Sequence, residues 1–406
     1  MVLKGLHPPA GVSPTQFEDT LARERPDLFT GPFSWPVMTL DAADLDHNMA
    51  VMAAFCARTG FELAPHIKTH MSRQLWQRQH AAGAWGATVA TGGQMRTARS
   101  WGTRRLLLAN QLLDPREIAW LAREARGAED GFEAWVYADS RTGVDLLAAD
   151  LATPQVRERV GVLIERGHVG GRTGVRTLAE VRDLAQAAAE AGLRVVGVSG
   201  YEGSVAKGSS PEALGAVARF CTDLLESAEA VAPMVQGTVV LSVGGSAYLD
   251  VVEQALSTAT DRVRVIVRSG AYLTHDHGLY DRADPWARME PPARLEPALR
   301  LWAQVHSTPE PGLVLCGAGR RDAPFDADLP IPLRVHPASG AGPARPVRGT
   351  TTRLNDQHLF LHTEDPVDVG EVIEFGVSHP CTSFDKWAVL PVLEGQRVVE
   401  LVHTQF

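Results

Sequence analysis

Between residues 60 and 270 the chain alternates between two hydrophobic patterns. Short apolar runs rich in Val, Ile and Leu stand at Glu62–Ile67, Gly86–Ala90, Leu106–Ala109, Ala134–Tyr137, Val160–Glu165, Arg194–Val198, Thr238–Val243 and Val263–Val267. Between them lie stretches rich in Ala, Leu, Arg and Glu with helical periodicity, as in Leu178–Ala191 and Pro211–Ala230. The first pattern predicts buried strands and the second amphipathic helices. Eight such repeats predict an α/β fold, a (β/α)8 barrel; an open doubly wound sheet is the alternative, and the count of eight favours the barrel.

Past residue 290 the helical period disappears. Alternating segments follow at Trp302–His306, Leu313–Cys316, Leu333–His336, His358–His362, Val372–Val377, Ala388–Val392 and Val398–His403, separated by Gly and Pro clusters. These predict an antiparallel β domain. The expected division is therefore a polar, proline-dotted segment over 1–35 that packs on the β domain, a barrel over 36–290, and the β domain over 291–406.

Composition narrows the function classes. Acidic residues outnumber basic ones by 48 to 39, a formal net charge of −9, and no basic run is present. That balance argues against a nucleic-acid partner. No apolar stretch reaches the eighteen or so residues that span a bilayer, and the N-terminus lacks a signal-peptide core, so no membrane partner and a cytoplasmic location are expected. Four cysteines are too few for a disulfide framework in 406 residues and are read as thiols. Lysine is scarce: only Lys4, Lys68, Lys207 and Lys386 occur, against many arginines. A lysine retained in such a chain invites a role that arginine cannot fill, since only lysine loses its proton and attacks an aldehyde.

Barrel enzymes hold their sites at the C-terminal ends of the strands. The first strand runs into Pro65-His66-Ile67-Lys68-Thr69-His70, which puts Lys68 at the barrel mouth. A surface lysine is the bland alternative. The fifth strand leads to the glycine-rich turn of Gly170-Gly171-Arg172, and the sixth to Tyr201, which offers a flat face and a hydroxyl. Glycine-containing loops follow the seventh strand at Gly244-Gly245-Ser246 and the eighth at Gly270-Ala271-Tyr272. Two adjacent loops of this kind can present backbone N–H groups to one phosphate. In the β domain stands Ser378-His379-Pro380-Cys381-Thr382. In an extended chain, residues two apart face one side, so His379 and Cys381 can converge on one ion. A thiolate and an imidazole favour zinc over manganese or magnesium.

These segments together resemble the D-serine dehydratase/D-threonine aldolase family of fold-type III pyridoxal-phosphate enzymes, relatives of alanine racemase. The resemblance runs from about Trp35 to the C-terminus. Its marks are the Pro65–His70 segment, Gly171-Arg172-Thr173-Gly174-Val175, and Ser378–Thr382 with Phe384-Asp385-Lys386-Trp387. It implies that Lys68 carries pyridoxal 5′-phosphate and acts in catalysis. Arg172 would contact the cofactor's phenolic oxygen, and Tyr201 would lie beside its ring. Gly244, Gly245, Ser246, Gly270, Ala271 and Tyr272 would hold the phosphate, and His379 and Cys381 the metal. Asn355-Asp356-Gln357-His358 resembles the family's histidine segment, which makes His358 a candidate catalytic residue. A homodimer is implied as well. Family members with His-x-Cys resemble the dehydratase branch and those with His-x-Asp the aldolase branch. Two features depart from the family's pattern: Arg166 and His168 in the fifth-strand turn, and the His275-Asp276-His277 run.

The expected function is a zinc-dependent dehydratase that removes water from a β-hydroxy-D-amino acid such as D-serine, leaving a 2-oxo acid and ammonia. A metal-dependent D-threonine-type aldolase, a metal-independent racemase and a cofactor-binding protein without activity remain as alternatives.

Overall fold

The computed structural model describes residues 4–259, 261–289 and 293–406. The eight expected parallel strands are Glu62–Leu63, Ala87–Val89, Arg105–Gln111, Glu133–Ala138, Val160–Glu165, Arg194–Ser199, Val239–Val243 and Val263–Val267. From the second to the eighth each pairs with its sequence neighbours, and the last pairs with the first. The ring closes between the first two. Trp85 N–H donates to Leu63 O at 2.8 Å, Thr88 N–H donates to Pro65 O at 2.9 Å, and His66 bridges Thr88 in parallel. The sheet is therefore a barrel and not an open layer.

The two-residue period of a strand divides the side chains. In Glu133–Ala138, Ala134, Val136 and Ala138 pack outward in the large core shared with the helices. Trp135 and Tyr137 point inward with Leu107, Leu163, Val196, Val240 and Ile266. Near the strands' N-terminal ends Trp85 stacks on Trp135 with ring centroids 4.5 Å apart, and the Arg264 guanidinium lies 4.8 Å from the Trp85 centroid. This plugs one end of the barrel, so a cavity can open only at the other, where the helix-leading loops lie. Several outer helices begin on a hydroxyl cap, at Ser72, Thr91, Ser140, Thr177 and Ser210, each accepting an N–H from three residues on. Such caps satisfy a free N–H of the first turn and fix where each helix begins.

The rest of the chain builds a ten-stranded, mostly antiparallel sheet. Its centre is the long strand Leu299–Glu310, which pairs antiparallel with Val372–Gly376 on one side and Val37–Asp41 on the other. Val37–Asp41, placed by the hydrophobic pattern within a barrel over 36–290, thus belongs to the β sheet, where it also runs parallel to Val389–Glu394. Its apolar run Val-Met-Thr-Leu resembles a barrel strand locally; only the long-range pairing distinguishes the two. The boundary expected at 290 and 291 lies outside the described residues. The polar strand Thr350–Leu354 and the short Arg345–Pro346 carry no hydrophobic alternation and escape a reading by pattern. Leu6, Phe17, Leu21 and Leu28 of the N-terminal segment are buried against Trp302, Val389 and Val398 of this sheet.

Candidate active site

A cavity of about 460 Å3 opens at the C-terminal end of the barrel and is closed on its far side by the β domain. Lys68 lines it from the one-turn 3-10 segment Ile67–Thr69, just beyond the first barrel strand. Ile67 and Thr69, its neighbours, are buried. The turn is thereby anchored by both flanking side chains while the lysine between them faces the cavity. His66 lines the same wall. Burial, then the charges of Lys68 and Arg268, hold its imidazole well below its ordinary value, so the ring is neutral at pH 7. Its Nδ1 is buried without a protein partner, an orphan polar atom at the edge of the cavity.

Arg172 and Tyr201 also line the cavity and meet, with the guanidinium 4.9 Å from the ring centroid. Burial raises the Tyr201 phenol above its usual range, so it stays protonated. On the floor Arg268, 6% exposed, donates to Ser242 Oγ at 2.7 Å and to Gly200 O at 2.6 Å. Glu165 accepts from Thr173 Oγ1 at 3.0 Å and from Gln111 Nε2, and burial lifts its carboxyl above the usual range.

The two glycine loops divide the expected cradle unevenly. Gly244 and Gly245 line the cavity, but their N–H groups donate to the buried carboxylate of Glu202, at 3.0 and 2.6 Å. Those two amides are already engaged. Ser246, whose hydroxyl meets Ser269 Oγ at 2.8 Å, and Gly270 with Ala271 remain. Ala271 opens the 3-10 turn Ala271–Leu273, so the amides of Gly270 and Ala271 precede any intrahelical bonding. A Cβ on Gly270 would lie 2.5 Å from His66 O, so only glycine lets the loop approach Lys68's segment. Tyr272 departs from expectation. Its ring is 2% exposed, its hydroxyl accepts from Gln79 Nε2 at 3.0 Å, and it lies in the core between the barrel and its outer helix instead of on the cavity wall. The 3-10 turn rotates it away from Ala271.

His379 and Cys381 line the cavity opposite Lys68 and touch each other, though not by the alternation of a strand. The strand ends at Gly376, His379 adopts φ +64°, and Cys381 starts a helical turn over Cys381–Phe384. The hydrogen bond to Cys381, with added attraction from Asp326, lifts His379 to about 9. Burial alone would push the Cys381 thiol up, but the bonds from His379 and Thr69 outweigh it and bring the thiol below its ordinary value. The same hydrogen bonding that raises the imidazole thus lowers the thiol, the direction that favours the thiolate a metal would need. Cys381 Sγ lies 3.2 Å from Thr69 Oγ1, next in sequence to Lys68. On its other side the His379 ring meets Asp326 Oδ2 through Nδ1 at 2.5 Å, and Asp326 also accepts from Thr382 Oγ1 at 2.7 Å. A carboxylate on the second nitrogen fixes the orientation of a ligating imidazole. Among the described residues no cluster of three or more His, Cys, Asp or Glu suited to a metal is found.

His358 is not part of this cavity. It is exposed in the turn between Thr350–Leu354 and Leu359–His362, where its carbonyl accepts from Asn355 N–H. The hairpin that gives it a strand-end position leaves it exposed and off the cavity lining. Arg166 turns outward to Asp223 O and Ser227 Oγ, and His168 meets Ser204 Oγ at 3.0 Å, so neither faces the cavity. Arg268, Tyr280 and Asp326 were not singled out by sequence. Arg268 had a signal, an arginine ending the apolar strand Val263–Val267. Tyr280 and Asp326 lie in loops and acquire meaning only from their neighbours.

A parallel barrel with a strand-end lysine, joined to a β domain that closes its mouth, defines the alanine-racemase class of fold. Residues 40–265 match the family described as "Alanine racemase, N-terminal domain", and the chain belongs to it. Residues 298–393 match a second family, described as "Putative serine dehydratase domain". The chain is similar to D-threonine aldolase of Arthrobacter sp., at 26% identity over 95% of this chain and 92% of that one. It is also similar to D-threo-3-hydroxyaspartate dehydratase of Delftia sp. strain HT23, at 30% identity over 59% of this chain and 61% of that one. Among solved structures, D-threonine aldolase from Filomicrobium marinum superposes with a TM-score of 0.76 at 22% identity, covering 92% of this chain and 95% of that one. A D-threo-3-hydroxyaspartate dehydratase with a cysteine replaced by alanine, in its metal-free form, superposes at 0.75 and 23% identity over 94% and 99% of the two chains. A companion variant of that dehydratase has a histidine, two positions earlier, replaced by alanine. The relatives thus include both dehydratases and aldolases of D-amino acids. No helix among the described residues is long and apolar enough to cross a membrane.

Proposed function

We propose that this protein is a pyridoxal-phosphate- and zinc-dependent lyase that eliminates water from a β-hydroxy-D-amino acid such as D-serine. The observation that carries the reading is the meeting of Lys68 and the His379–Cys381 pair on one cavity, joined through the 3.2 Å contact of Thr69 with Cys381. The residues present suit the cofactor. The orphan Nδ1 of His66, the Arg172–Tyr201 pair and a glycine loop with no room for a Cβ at Gly270 surround Lys68. They suit zinc as well, since a thiolate and an imidazole are its preferred donors and two protein ligands leave positions for a substrate oxygen or water. The dehydratase relative supports this part of the reading: one structure of its cysteine variant is described as being in the metal-free form, and the histidine replaced in the companion variant stands two positions before that cysteine, the spacing of His379 and Cys381.

When bound, pyridoxal phosphate supplies a sink for negative charge at the substrate's α-carbon, and zinc a Lewis acid for its β-hydroxyl. The chain's own residues act around them. Lys68 Nζ takes the α-proton. Arg172, Tyr201 and Gly270 hold the ring and phosphate in register with that amine. Thr69 Oγ1 contacts the Cys381 sulfur and, with His379, lowers its thiol below the ordinary value, and Asp326 aims the His379 ring. Loss of the β-hydroxyl as water leaves an enamine, which takes up water to give a 2-oxo acid and ammonia.

Retro-aldol cleavage is the second reading, favoured by the 26% identity with D-threonine aldolase over nearly the whole chain. The two separate by product. Incubation with D-serine, D-threonine, D-threo-3-hydroxyaspartate and their L-forms, with oxo acid, ammonia and aldehyde all assayed, should yield oxo acid and ammonia in equal amounts from a D-substrate. Glycine and an aldehyde as the main products would replace elimination by aldol cleavage.

A further inference from the structure

The geometry points to Asp276 as the residue that positions the metal-ligand segment against the barrel. The inference rests on the reading of His379 and Cys381 as metal ligands. Asp276 lies six residues beyond Gly270, in the loop that leaves the last barrel strand, and it is fully buried. Its hydrogen bonds are to backbone N–H groups. Oδ1 accepts from Gly278 at 2.8 Å, from Tyr280 at 2.9 Å and from Asp281 at 3.5 Å. Oδ2 accepts from His379 N–H at 2.8 Å. One oxygen therefore folds the loop that brings Tyr280 to the cavity wall, and the other holds the backbone of the candidate ligand.

Two further bonds run alongside. His277 N–H donates to Val377 O at 3.0 Å, and Leu279 N–H donates to Ser378 Oγ at 3.0 Å. The barrel loop and the segment Val377–His379 are thus stapled at three successive residues. The staple matters most at His379, whose φ of +64° lies in the left-handed region that a residue with a Cβ rarely visits. Such a conformation persists only where surrounding contacts determine it. A carboxylate is suited to the task, because bonds from N–H groups to an ionised oxygen are shorter and stronger than neutral ones. Asp326 orients the ring of His379 from outside, while Asp276 orients its main chain from the barrel side. Asp276 touches neither cofactor nor substrate and acts through His379.

Asp276→Asn tests this. The amide keeps the shape but replaces one accepting oxygen with a donor, so one arm of the bridge must fail. Zinc affinity, read by competition with a chelating dye on cofactor-loaded protein stripped only of metal, should fall about 10–100-fold. Pyridoxal phosphate, held by Lys68 and the Gly270 loop, should be retained as in the parent. A variant that binds zinc as tightly as the parent overturns the inference, and so does one that loses cofactor and zinc in parallel, which would mark a general structural role. If Asp276→Asn does not fold, amide hydrogen exchange on the parent holoprotein decides. The His379 N–H should exchange slowly although it lies outside any strand, and exchange at the rate of an unbonded loop amide overturns the inference. A parent that binds no zinc, or a Cys381→Ala variant that binds it undiminished, instead removes the metal reading itself and this inference with it.

Discussion

On the barrel side of the cavity, Tyr201 and Gly270 follow regular strands by two and three residues, and Lys68 sits in a turn bridged to its neighbouring strand through His66 and Thr88. On the β-domain side, His379 stands in a loop at φ +64°, held by Asp276, Asp326 and the staple around Ser378. The first wall is set by a backbone ladder in which each strand fixes the next. The second is set by a few side chains that accept backbone N–H groups or aim a ring. A ladder resists local change, whereas a stapled loop can be altered one bond at a time. The two walls should therefore fail separately, cofactor chemistry with the barrel residues and metal chemistry with the loop residues.

The largest effect is expected at Lys68. Lys68→Ala should lower turnover by about 10²–10⁴-fold or more, since it would remove the group proposed to move the α-proton. The thermal midpoint should stay near the parent's, because the turn is anchored by buried Ile67 and Thr69 and not by the lysine. Borohydride treatment of the parent followed by peptide mapping should find the cofactor on Lys68. Recovery on Lys207 or Lys386 would dissolve the barrel wall as described.

Cys381→Ala breaks the comparison from the other side. It should abolish zinc binding and ammonia release yet leave the cofactor's visible absorption unchanged, as should chelation of the parent. Cys381→Asp should shift metal preference from zinc toward manganese, the harder, oxygen-preferring ion. Full deamination by chelated, metal-free protein would show that the two walls are not a cofactor side and a metal side.

Within the barrel wall, Gly270 and Gly245 should differ. A Cβ at Gly270 meets the His66 carbonyl oxygen at 2.5 Å, whereas at Gly245 the nearest atom is Tyr201 Cε2 at 2.9 Å, and the Gly245 amide already serves Glu202. Gly270→Val should weaken pyridoxal phosphate retention, measured by equilibrium dialysis, more than Gly245→Val does. It should also cost about 1–3 kcal/mol of stability from overpacking. Equal retention in both variants would move the phosphate site elsewhere.

The smallest effect concerns acid stability. Burial pushes His70, just past Lys68, down to about 4, and His277, in the loop stapled to the Val377–His379 segment, down to about 3. Both rings are neutral in the folded chain and take up protons near 6.5 once unfolded. Their folded values lie below the unfolded ones, so the stability linked to the neutral forms is complete above pH 6.5 and declines as the pH falls below it. The urea midpoint should drop between pH 6.5 and about 5, before most carboxylates titrate. The walls should differ here too. His70 is bonded on both nitrogens, to Gln79 and the Ser72 N–H, whereas His277 Nδ1 is buried without a partner. His70→Ala should therefore destabilise more than His277→Ala at pH 7.5, and the reverse order would contradict the contrast between a ladder-built wall and a stapled one.

Much of the barrel wall was legible along the chain because strand ends are local. An apolar run followed by an unusual residue places that residue at the mouth, and Lys68, Arg172, Tyr201, Ser246 and Gly270 all face the cavity. The pattern was less reliable for direction. Tyr272 stands two residues from Gly270, yet its 3-10 turn buries it against Gln79. Gly244 and Gly245 have the composition of a phosphate loop, but the Glu202 carboxylate occupies their N–H groups. His358 has the look of a site residue and stands exposed in a hairpin turn.

The sequence alone determined the eight strand–helix repeats, the change to a β domain, the candidate lysine and the pairing of a histidine with a cysteine two residues on. These are carried by periodicity and residue type within a few positions, where hydrophobic burial and covalent spacing act directly. Only the tertiary structure decided that Val37–Asp41 joins the β sheet, that Thr69 touches Cys381, and that Asp276 and Asp326 hold His379 from two sides. The reason is separation: Thr69 and Cys381 are 312 positions apart along the chain, and Asp276 and His379 are 103 apart. Hydrogen bonds at that separation leave no periodicity in the chain, since any polar residue at any position can make them once the packing of two domains brings it within hydrogen-bonding reach.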